Sequence, residues 1–367
     1  MTVHDLELPR PLRFCLWAYD GGPLGTQHDA VLTDLIEHGV TVFFGRCPQA
    51  DCNDRGELTR PLDFAEHDVS VRRYSPHGLL LFLSPQASLK GPPFLSAPWK
   101  TGFVTYLREW VAHLKALGVS YEQWALYPYD EPSTPFTKTT LELIEVAKLI
   151  RAADPRIRIY ADPTSGTTME TVKLLTGLID IWCPSSELLE RLGDEMLPVV
   201  KAAGEVWTYD AAGRAKTLSC LGIYRWRFWR AWNQGLTGVG WWTYAQHGDV
   251  SRWLGPNPTG DFFATVYEGP DGPVGSKRWE AAREGVEDYA LLFLLRQRLE
   301  KAAARGADVS EARRLLAESP LHVEQVLLNT GRRLPLNTDS VPRYDDATRR
   351  LRAARAEIIS ACLRLGE

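Results

Sequence analysis

Residues 101–133 read TGFVTYLREWVAHLKALGVSYEQWALYPYDEPS, and this stretch shows the pattern that decides the fold. From Thr101 to Leu117, apolar residues recur every three or four positions, which is typical of one buried face of a helix. Gly118 is placed to end that helix. The run Trp124–Tyr127 then reads as a short buried strand, and the polar segment YDEPS follows it directly. The stretch therefore predicts a helix, a strand and a polar loop in succession.

The same alternation extends in both directions along the chain. Short apolar runs of the buried-strand kind alternate with segments of helical period. The eight predicted strands are Phe14–Tyr19, Val40–Phe44, Leu79–Leu83, Trp124–Tyr127, Ile157–Ala161, Ile181–Cys183, Val206–Tyr209 and Val239–Tyr244. Eight strands in alternation with helices favour a parallel (β/α)8 barrel of the α/β class. The competing architecture is an open doubly wound sheet, but no G-x-G-x-x-G motif follows the first strand to favour it.

The remaining segments predict the helices and the domain organisation. Residues 45–78 show no clear period and read as a polar loop, and residues 254–275 are rich in Gly and Pro and predict a second long loop. We expect a catalytic barrel over residues 1–295 and a helical extension, packed on the barrel, over residues 296–367. The main predicted helices are His28–His38, Thr101–Leu117, Thr139–Ala153, Met169–Leu178, Leu188–Ala203, Ser219–Gln234, Ser276–Leu299 and Asp345–Leu365.

Composition limits the classes of function. The chain has 367 residues, and its 44% hydrophobic content is enough for a large core. A formal net charge of −4 gives no general attraction to nucleic acid or to an anionic membrane. No apolar run is long enough to span a bilayer. No signal peptide is visible either, which is consistent with a cytoplasmic protein or with a secreted one whose leader has been removed.

The six cysteines do not form a metal-binding pattern. Only Cys47 and Cys52 lie close together, and no second pair or nearby histidine completes a zinc motif. A disulfide between these two is an option in a secreted protein, and free thiols are the alternative in a reducing compartment. We predict no metal and no cofactor.

The end of the fourth predicted strand carries the candidate catalytic pair. Barrels of this kind place their reactive groups at the C-terminal ends of the strands, and here Asp130 and Glu131 follow the strand directly. Adjacent acids repel each other, so one of them is expected to have a raised pKa where solvent is limited. A protonated carboxyl beside an ionised one suits hydrolysis of a glycosidic bond. The alternative is a solvated turn in which Asp130 caps the next segment.

Other residues at the strand ends are candidates for contact with a substrate. Flat aromatic rings pack against the apolar face of a sugar, although core packing is the default alternative for each ring. Because side chains alternate along a strand, only one of Trp241 and Trp242 is expected to face the barrel axis. The candidates are Trp17, Tyr19, Asp20, Arg46, Tyr127, Tyr129, Asp162, Trp182, Tyr209, Asp210, Trp242, Tyr244, His247 and Trp253.

Two segments carry a resemblance to a known family. YPYDEP at residues 127–132 and VYEGPDGPVGSKRWEAAREGVEDYALL at residues 266–292 resemble the catalytic domain of glycoside hydrolase family 123 and the related uncharacterised domain family 4091. The aromatic segment GVGWWTYAQHGDVSRW at residues 238–253 fits the same pattern. The resemblance extends from about Leu12 to the end of the chain. The β-sandwich that commonly precedes the barrel in this family is not expected, since the first barrel strand starts near Phe14.

The resemblance implies a substrate, a mechanism and two residue roles. The family acts on a β-linked 2-acetamido sugar, typically N-acetylgalactosamine, with retention of configuration and with the acetamido oxygen of the substrate as the nucleophile. Carried over to this chain, Glu131 is the general acid and then the general base. Asp130 accepts a hydrogen bond from the acetamido N–H group. The implied partner is therefore a carbohydrate, with no cofactor.

Two alternatives remain open. A retaining or inverting glycosidase acting on a sugar without the acetamido group would combine Glu131 with a separate carboxylate, for which Asp210 is the best candidate. A non-catalytic carbohydrate-binding barrel belongs to a different class of function.

The charged residues of the downstream segment have a structural interpretation. They lie three to five positions apart on a predicted helix, which is the spacing of ion pairs on a helix surface. We assign these residues to maintenance of the fold. They are Arg278, Glu280, Arg283, Glu287 and Asp288.

Overall fold

The central feature of the structure, a computed structural model, is one parallel sheet of eight strands. The structure describes residues 6–19, 26–134, 137–211, 218–245, 263–332 and 341–366. In chain order the strands are β1 (Arg13–Leu16), β2 (Val42–Gly45), β3 (Leu79–Leu83), β4 (Trp124–Tyr127), β5 (Tyr160–Ala161), β6 (Ile181–Trp182), β7 (Glu205–Asp210) and β8 (Gly238–Trp241). Their order in the sheet is β4-β3-β2-β1-β8-β7-β6-β5. A parallel bridge between Leu126 and Ile159 joins the two ends of this order. The predicted (β/α)8 barrel is confirmed.

Helices follow the strands as the sequence pattern predicts. Gly118 (φ +76°) follows the C-cap of α3 in the left-handed conformation that favours glycine, and Gly39 (φ +79°) does the same after α1. A π-helical segment, Cys220–Arg225, precedes α7. The helices are α1 (His28–Glu37), α2 (Ala65–Tyr74), α3 (Ala97–Ala116), α4 (Lys138–Ala153), α5 (Met169–Leu175), α6 (Ser186–Ala203), α7 (Trp226–Asn233), α8 (Lys277–Ala304), α9 (Ser310–Leu328) and α10 (Val341–Gly366).

Two predicted loops contain regular structure. Residues 45–78 include helix α2, whose buried face combines His67 and Ser70 with Val71 and Tyr74. Because half of that face is polar, no hydrophobic period is visible in the sequence. The second loop contains a short antiparallel hairpin in which Val266–Glu268 pairs with Pro273–Gly275.

The contacts divide the chain into two compact units, one of which comprises residues 41–210. This unit contains β2 to β7 and α2 to α6. The ring of Phe82 on β3 packs edge-on against Trp110 of α3, with ring centroids 4.9 Å apart, and Trp110 stacks against Trp124 of β4. These contacts bury the apolar face that the sequence predicts for α3.

The second unit comprises residues 1–40 and 211–367 and contains β1, β8, α1 and α7 to α10. Its C-terminal helices share a core in which Trp226 and Trp229 pack with leucine, valine and isoleucine side chains. Helix α8 continues without a break past residue 295, and the domain boundary placed there stays a prediction. Within the described residues, no helix combines the length and the apolarity needed to cross a membrane.

Three of the five charged residues singled out on α8, namely Glu280, Arg283 and Glu287, form the ion pairs along the helix that their spacing predicts. Arg283 pairs with Glu280 (2.9 Å) and with Glu287 (2.5 Å) on the same helix. Asp288, which is 1% exposed, accepts hydrogen bonds from Arg225 Nε (2.7 Å) and from the indole of Trp229 (2.9 Å). The segment therefore joins α8 to the π-helical segment and to α7.

None of the six cysteines, all of which lie in described residues, forms a disulfide bond. The candidate pair, Cys47 and Cys52, consists of two free thiols in the structure. Cys47 donates through its Sγ to the carbonyl of Leu83 at 3.3 Å.

Candidate active site

Three acidic side chains and two tyrosines meet at the C-terminal ends of β4, β5 and β7, all within the unit of residues 41–210. The loop after β4 supplies two of the acids, the residue that follows β5 supplies the third, and the tyrosines lie in β4 and β7. The parallel strands bring these positions to the same edge of the sheet. The cluster unites five of the residues that the sequence analysis singled out, namely Tyr127, Asp130, Glu131, Asp162 and Tyr209.

Tyr127, the last residue of β4, lies between two of the acids. Its hydroxyl donates to Asp130 Oδ1 at 2.6 Å and is also within hydrogen-bond distance of Asp162 Oδ2. Tyr127 is 1% exposed, and burial together with the neighbouring carboxylates raises the pKa of its hydroxyl well above the ordinary value. The phenol therefore stays protonated.

Glu131 is held through both its backbone and its carboxylate. Its φ of +47° is rare for a residue with a side chain, and its N–H donates to Asp162 Oδ1 at 3.1 Å. The hydroxyl of Tyr209 on β7 donates to Glu131 Oε1 at 2.5 Å. Burial, and next the hydrogen bond to Glu131, raise the pKa of Tyr209, so this hydroxyl also stays protonated and acts as a donor.

The acids of the cluster differ in their access to solvent. Asp130 and Glu131 are exposed, whereas Asp162 is only 2% exposed. Burial, and next the negative charge of Asp130, raise the pKa of Asp162 well above its ordinary value. Two solvent-facing carboxylates thus rest on a buried layer of tyrosine and aspartic acid, which is the kind of support that a precise site needs.

Unusual backbone conformations are concentrated after the barrel strands. In the described part of the chain, four residues other than glycine have positive φ, and three of them follow a strand: Ala18 after β1, Ser84 after β3 and Glu131 after β4. Such conformations cost on the order of 1–3 kcal/mol each and persist where the surrounding structure enforces them. Strained backbone conformations of this kind cluster at active sites and ligand-binding sites of proteins.

Sequence reasoning missed two side chains that brace the acidic loop. Gln86, after β3, donates through Nε2 to the carbonyl of Pro128 at 2.6 Å. The buried hydroxyl of Thr167, after β5, donates to the carbonyl of Pro132 at 3.1 Å. Both contacts join different strand-end loops, and the only signal for them in the sequence is their position a few residues beyond a strand.

The other candidates of this unit have different surroundings. The hydroxyl of Tyr129 donates to Glu142 Oε2 on α4 at 3.0 Å. Trp182, the last residue of β6, is fully buried, and its indole N–H has no hydrogen-bond partner among the described residues. Arg46 is exposed after β2, and Asp210 is the half-buried last residue of β7.

The candidates of the other unit are mostly buried. Trp17 and Tyr19 follow β1 and are 9% and 3% exposed. Tyr244 is fully buried and donates to Asp34 Oδ2 on α1 at 2.6 Å. The remaining candidates, Asp20, His247 and Trp253, lie outside the described residues.

The two tryptophans at the end of β8 are oriented differently. The ring of Trp241 packs against Phe14 and Phe228 at centroid distances of 5.8 and 5.5 Å and is 3% exposed. Trp242 is 43% exposed. Of the pair, Trp242 is therefore the one whose ring is open to a ligand.

One group of side chains in the described residues has the composition of a metal site, namely His67, Asp68 and His113. His67 Nε2 accepts the indole N–H of Trp110 at 2.8 Å, so its Nδ1 carries the proton that is donated to Asp68 at 2.9 Å. His113 Nε2 lies 2.8 Å from the same carboxylate oxygen. The contacts with Trp110 and His113 join α2 to α3, and because both ring nitrogens of His67 are engaged in hydrogen bonds, the arrangement does not fit metal ligation by His67.

Comparisons with known proteins concern the fold. No protein-family model matches the sequence, and no match was found among curated proteins. The structure is similar to that of a family 123 glycoside hydrolase from Clostridium perfringens, studied for the hydrolysis of glycolipid glycans, with a TM-score of 0.61 and 13% identity over 92% of this chain and 66% of that chain. It is also similar to an endo-β-1,4-mannanase from Thermotoga petrophila, with a TM-score of 0.51 and 12% identity over 76% of each chain. The resemblance to family 123 is confirmed at the level of the fold, and the chain spans slightly under two thirds of that structure.

Proposed function

We propose that this protein is a glycoside hydrolase whose catalytic residues are Asp130 and Glu131. The observation that carries the proposal is the pair of adjacent, exposed carboxylates at the end of β4, each of which accepts a hydrogen bond from a buried tyrosine. General acid–base catalysis needs a carboxyl that is fixed in place and open to the substrate. The fold shared with two glycoside hydrolases supports this class of reaction.

The more specific proposal is a retaining, substrate-assisted cleavage of a terminal β-linked 2-acetamido sugar. In this mechanism Glu131 protonates the leaving oxygen and then activates water, while the acetamido oxygen of the substrate attacks the anomeric carbon. Asp130 accepts the acetamido N–H and stabilises the positive charge of the cyclised intermediate. The acetamido group and the glycosidic oxygen are neighbours on one sugar ring, which suits two adjacent carboxylates.

The hydrogen bonds of the pair are compatible with these roles. Within the described residues, the hydrogen bonds to the two side chains reach one oxygen of each, Oδ1 of Asp130 from Tyr127 and Oε1 of Glu131 from Tyr209. The second oxygen of each carboxylate remains available for the substrate. In the other compact unit, Trp242, with its exposed ring, stays a predicted sugar contact.

A panel of aryl glycosides with and without the 2-acetamido group tests the proposal. We expect turnover of the 2-acetamido substrates with retention of configuration, and a loss of about 10²- to 10⁴-fold in Glu131→Gln. Glu122→Gln is the matched control, since Glu122 is an exposed acid in the turn that precedes the same strand. Undiminished turnover in Glu131→Gln would sink the catalytic assignment.

A thiazoline mimic of the cyclised intermediate tests the mechanism separately. Tight competitive binding supports attack by the acetamido oxygen. Cleavage restricted to sugars without the acetamido group, together with indifference to the thiazoline, favours Glu131 acting with a second carboxylate such as Asp210.

A further inference from the structure

We propose that Asp162 is a neutral positioning residue, which donates its carboxylic acid proton to the hydroxyl of Tyr127 while Tyr127 donates to Asp130. In this relay Asp162 does not contact the substrate. It determines which hydroxyl and carboxyl groups of the cluster carry a proton, and it holds the loop after β4 in place through buried contacts. The role assigned to Asp130 rests on the proposed function, whereas the protonation of Asp162 can be tested without any activity.

A count of protons leads to the relay. The Tyr127 oxygen is within hydrogen-bond distance of Asp130 Oδ1 and of Asp162 Oδ2, but a phenol has one proton and can donate to only one of them. With both carboxylates ionised, the second contact would bring two acceptor oxygens together without a hydrogen between them. One carboxyl must therefore carry a proton and donate it to the Tyr127 oxygen.

The surroundings identify Asp162 as the carboxyl that carries the proton. It is 2% exposed, whereas Asp130 is exposed to solvent, which stabilises its charge. Among the described residues, the titratable side chains that interact with Asp162 are Tyr127, Asp130, Tyr209 and Cys183, and none of these four is a cation.

The two oxygens of Asp162 then have distinct tasks. Oδ1 accepts the backbone N–H of Glu131 at 3.1 Å and so holds this residue in its left-handed conformation. Oδ2 carries the proton that is donated to Tyr127. The phenol is thereby left free to donate its own proton to Asp130 at 2.6 Å and to orient the carboxyl group that is proposed to accept an acetamido N–H.

Asparagine is an isosteric copy of a neutral aspartic acid in this position. Its carbonyl oxygen can accept the N–H of Glu131, and its amide can donate to Tyr127. We expect Asp162→Asn to keep turnover within about tenfold of the wild type, and Asp162→Ala, which loses both contacts, to fall by more than about 100-fold. Equal losses in the two variants would overturn the proposal.

The dependence of stability on pH gives a test that needs no substrate. If Asp162 holds its proton in the folded state and releases it on unfolding, wild-type stability falls as pH rises from the ordinary carboxyl pKa towards the raised value. The Tm of Asp162→Asn should therefore rise relative to that of the wild type as the pH increases above the ordinary carboxyl pKa of about 4. A Tm difference that is constant with pH, or that changes in the opposite direction, refutes the neutral state of Asp162 even if the protein proves to be an active glycosidase. A rising difference in a protein that cleaves no glycoside supports the protonation while overturning the proposed function.

Discussion

Replacement of Asp288 by asparagine should destabilise the unit that contains α8 more than any change of a surface charge. The carboxylate is 1% exposed; one oxygen accepts from Arg225 Nε and Trp229 Nε1, and the other accepts from Arg225 Nη2 and forms an ion pair with Arg355 Nη1. An amide group placed at either oxygen directs its N–H bonds at two of these donors. The variant therefore loses the charge and opposes two of these contacts at the same time.

The expected loss follows from what remains around Arg225. This guanidinium is 7% exposed and keeps Glu284 as a partner, while Arg355 is more exposed and can turn towards water or Glu287. Breaking one side of a buried ion pair costs about 3–5 kcal/mol, and the remaining contact with Glu284 places the expected loss near the lower end of that range.

Urea unfolding followed by tryptophan fluorescence measures this loss. Asp346→Asn is the matched control, because Asp346 is an exposed acid that pairs with Arg349 and Arg350 on α10. Surface pairs of this kind are worth about 0–1 kcal/mol, so the control should unfold almost like the wild type. A loss below about 1 kcal/mol for Asp288→Asn would refute the reasoning, since the buried carboxylate would then contribute no more than a surface one.

Three further outcomes are expected. Gly285→Ala on α8 places a Cβ atom 2.1 Å from Phe228 Cδ2 on α7 and should lower the free energy of unfolding by about 1–3 kcal/mol. An unchanged urea midpoint would show that α7 and α8 can move apart without a loss of stability. Trp241→Ala should destabilise by about 3–5 kcal/mol because its ring is in the core, whereas Trp242→Ala should keep the wild-type Tm and weaken sugar binding in a calorimetric titration; the reverse pattern contradicts the assignment. Burial lowers the pKa of His67, so the unfolded chain takes up a proton at a pH where the folded chain does not. The free energy of unfolding of the wild type should therefore fall as the pH drops below about 6.5. His67→Gln should show a shallower decline in urea unfolding at the same series of pH values, and an equal decline excludes this histidine as the source.

The predictable parts of the fold are those set by local periodicity. The apolar spacing of α3 and the glycine that follows it predict this helix at the correct position, because the helix buries one uniformly apolar face. Helix α2 could not be found in the same way. It buries His67, whose ring accepts a hydrogen bond from Trp110 on another helix, and no local pattern can show that a polar side chain will find such a partner.

The same distinction applies to the candidate site. Asp130 and Glu131 were identifiable because they are adjacent in sequence and follow a strand, and the rule that strand ends carry function also pointed to Asp162 and Tyr209. The burial of Asp162 beneath Tyr127 was not predictable, because it depends on how closely β4 and β5 approach each other.

Because the sheet closes between β4 and β5, the side chains of the acidic cluster also have a structural role. A bridge at Leu126 and Ile159 pairs these strands, and the other connections described across the junction include the side-chain contacts of Asp162 with Tyr127 and with the Glu131 amide. Functional residues are commonly replaced with a gain in stability, because their arrangement is strained. Here the residues beneath the proposed catalytic pair also connect the two ends of the strand order to each other. Selection for a durable barrel and selection for a working site therefore act on the same side chains at this junction.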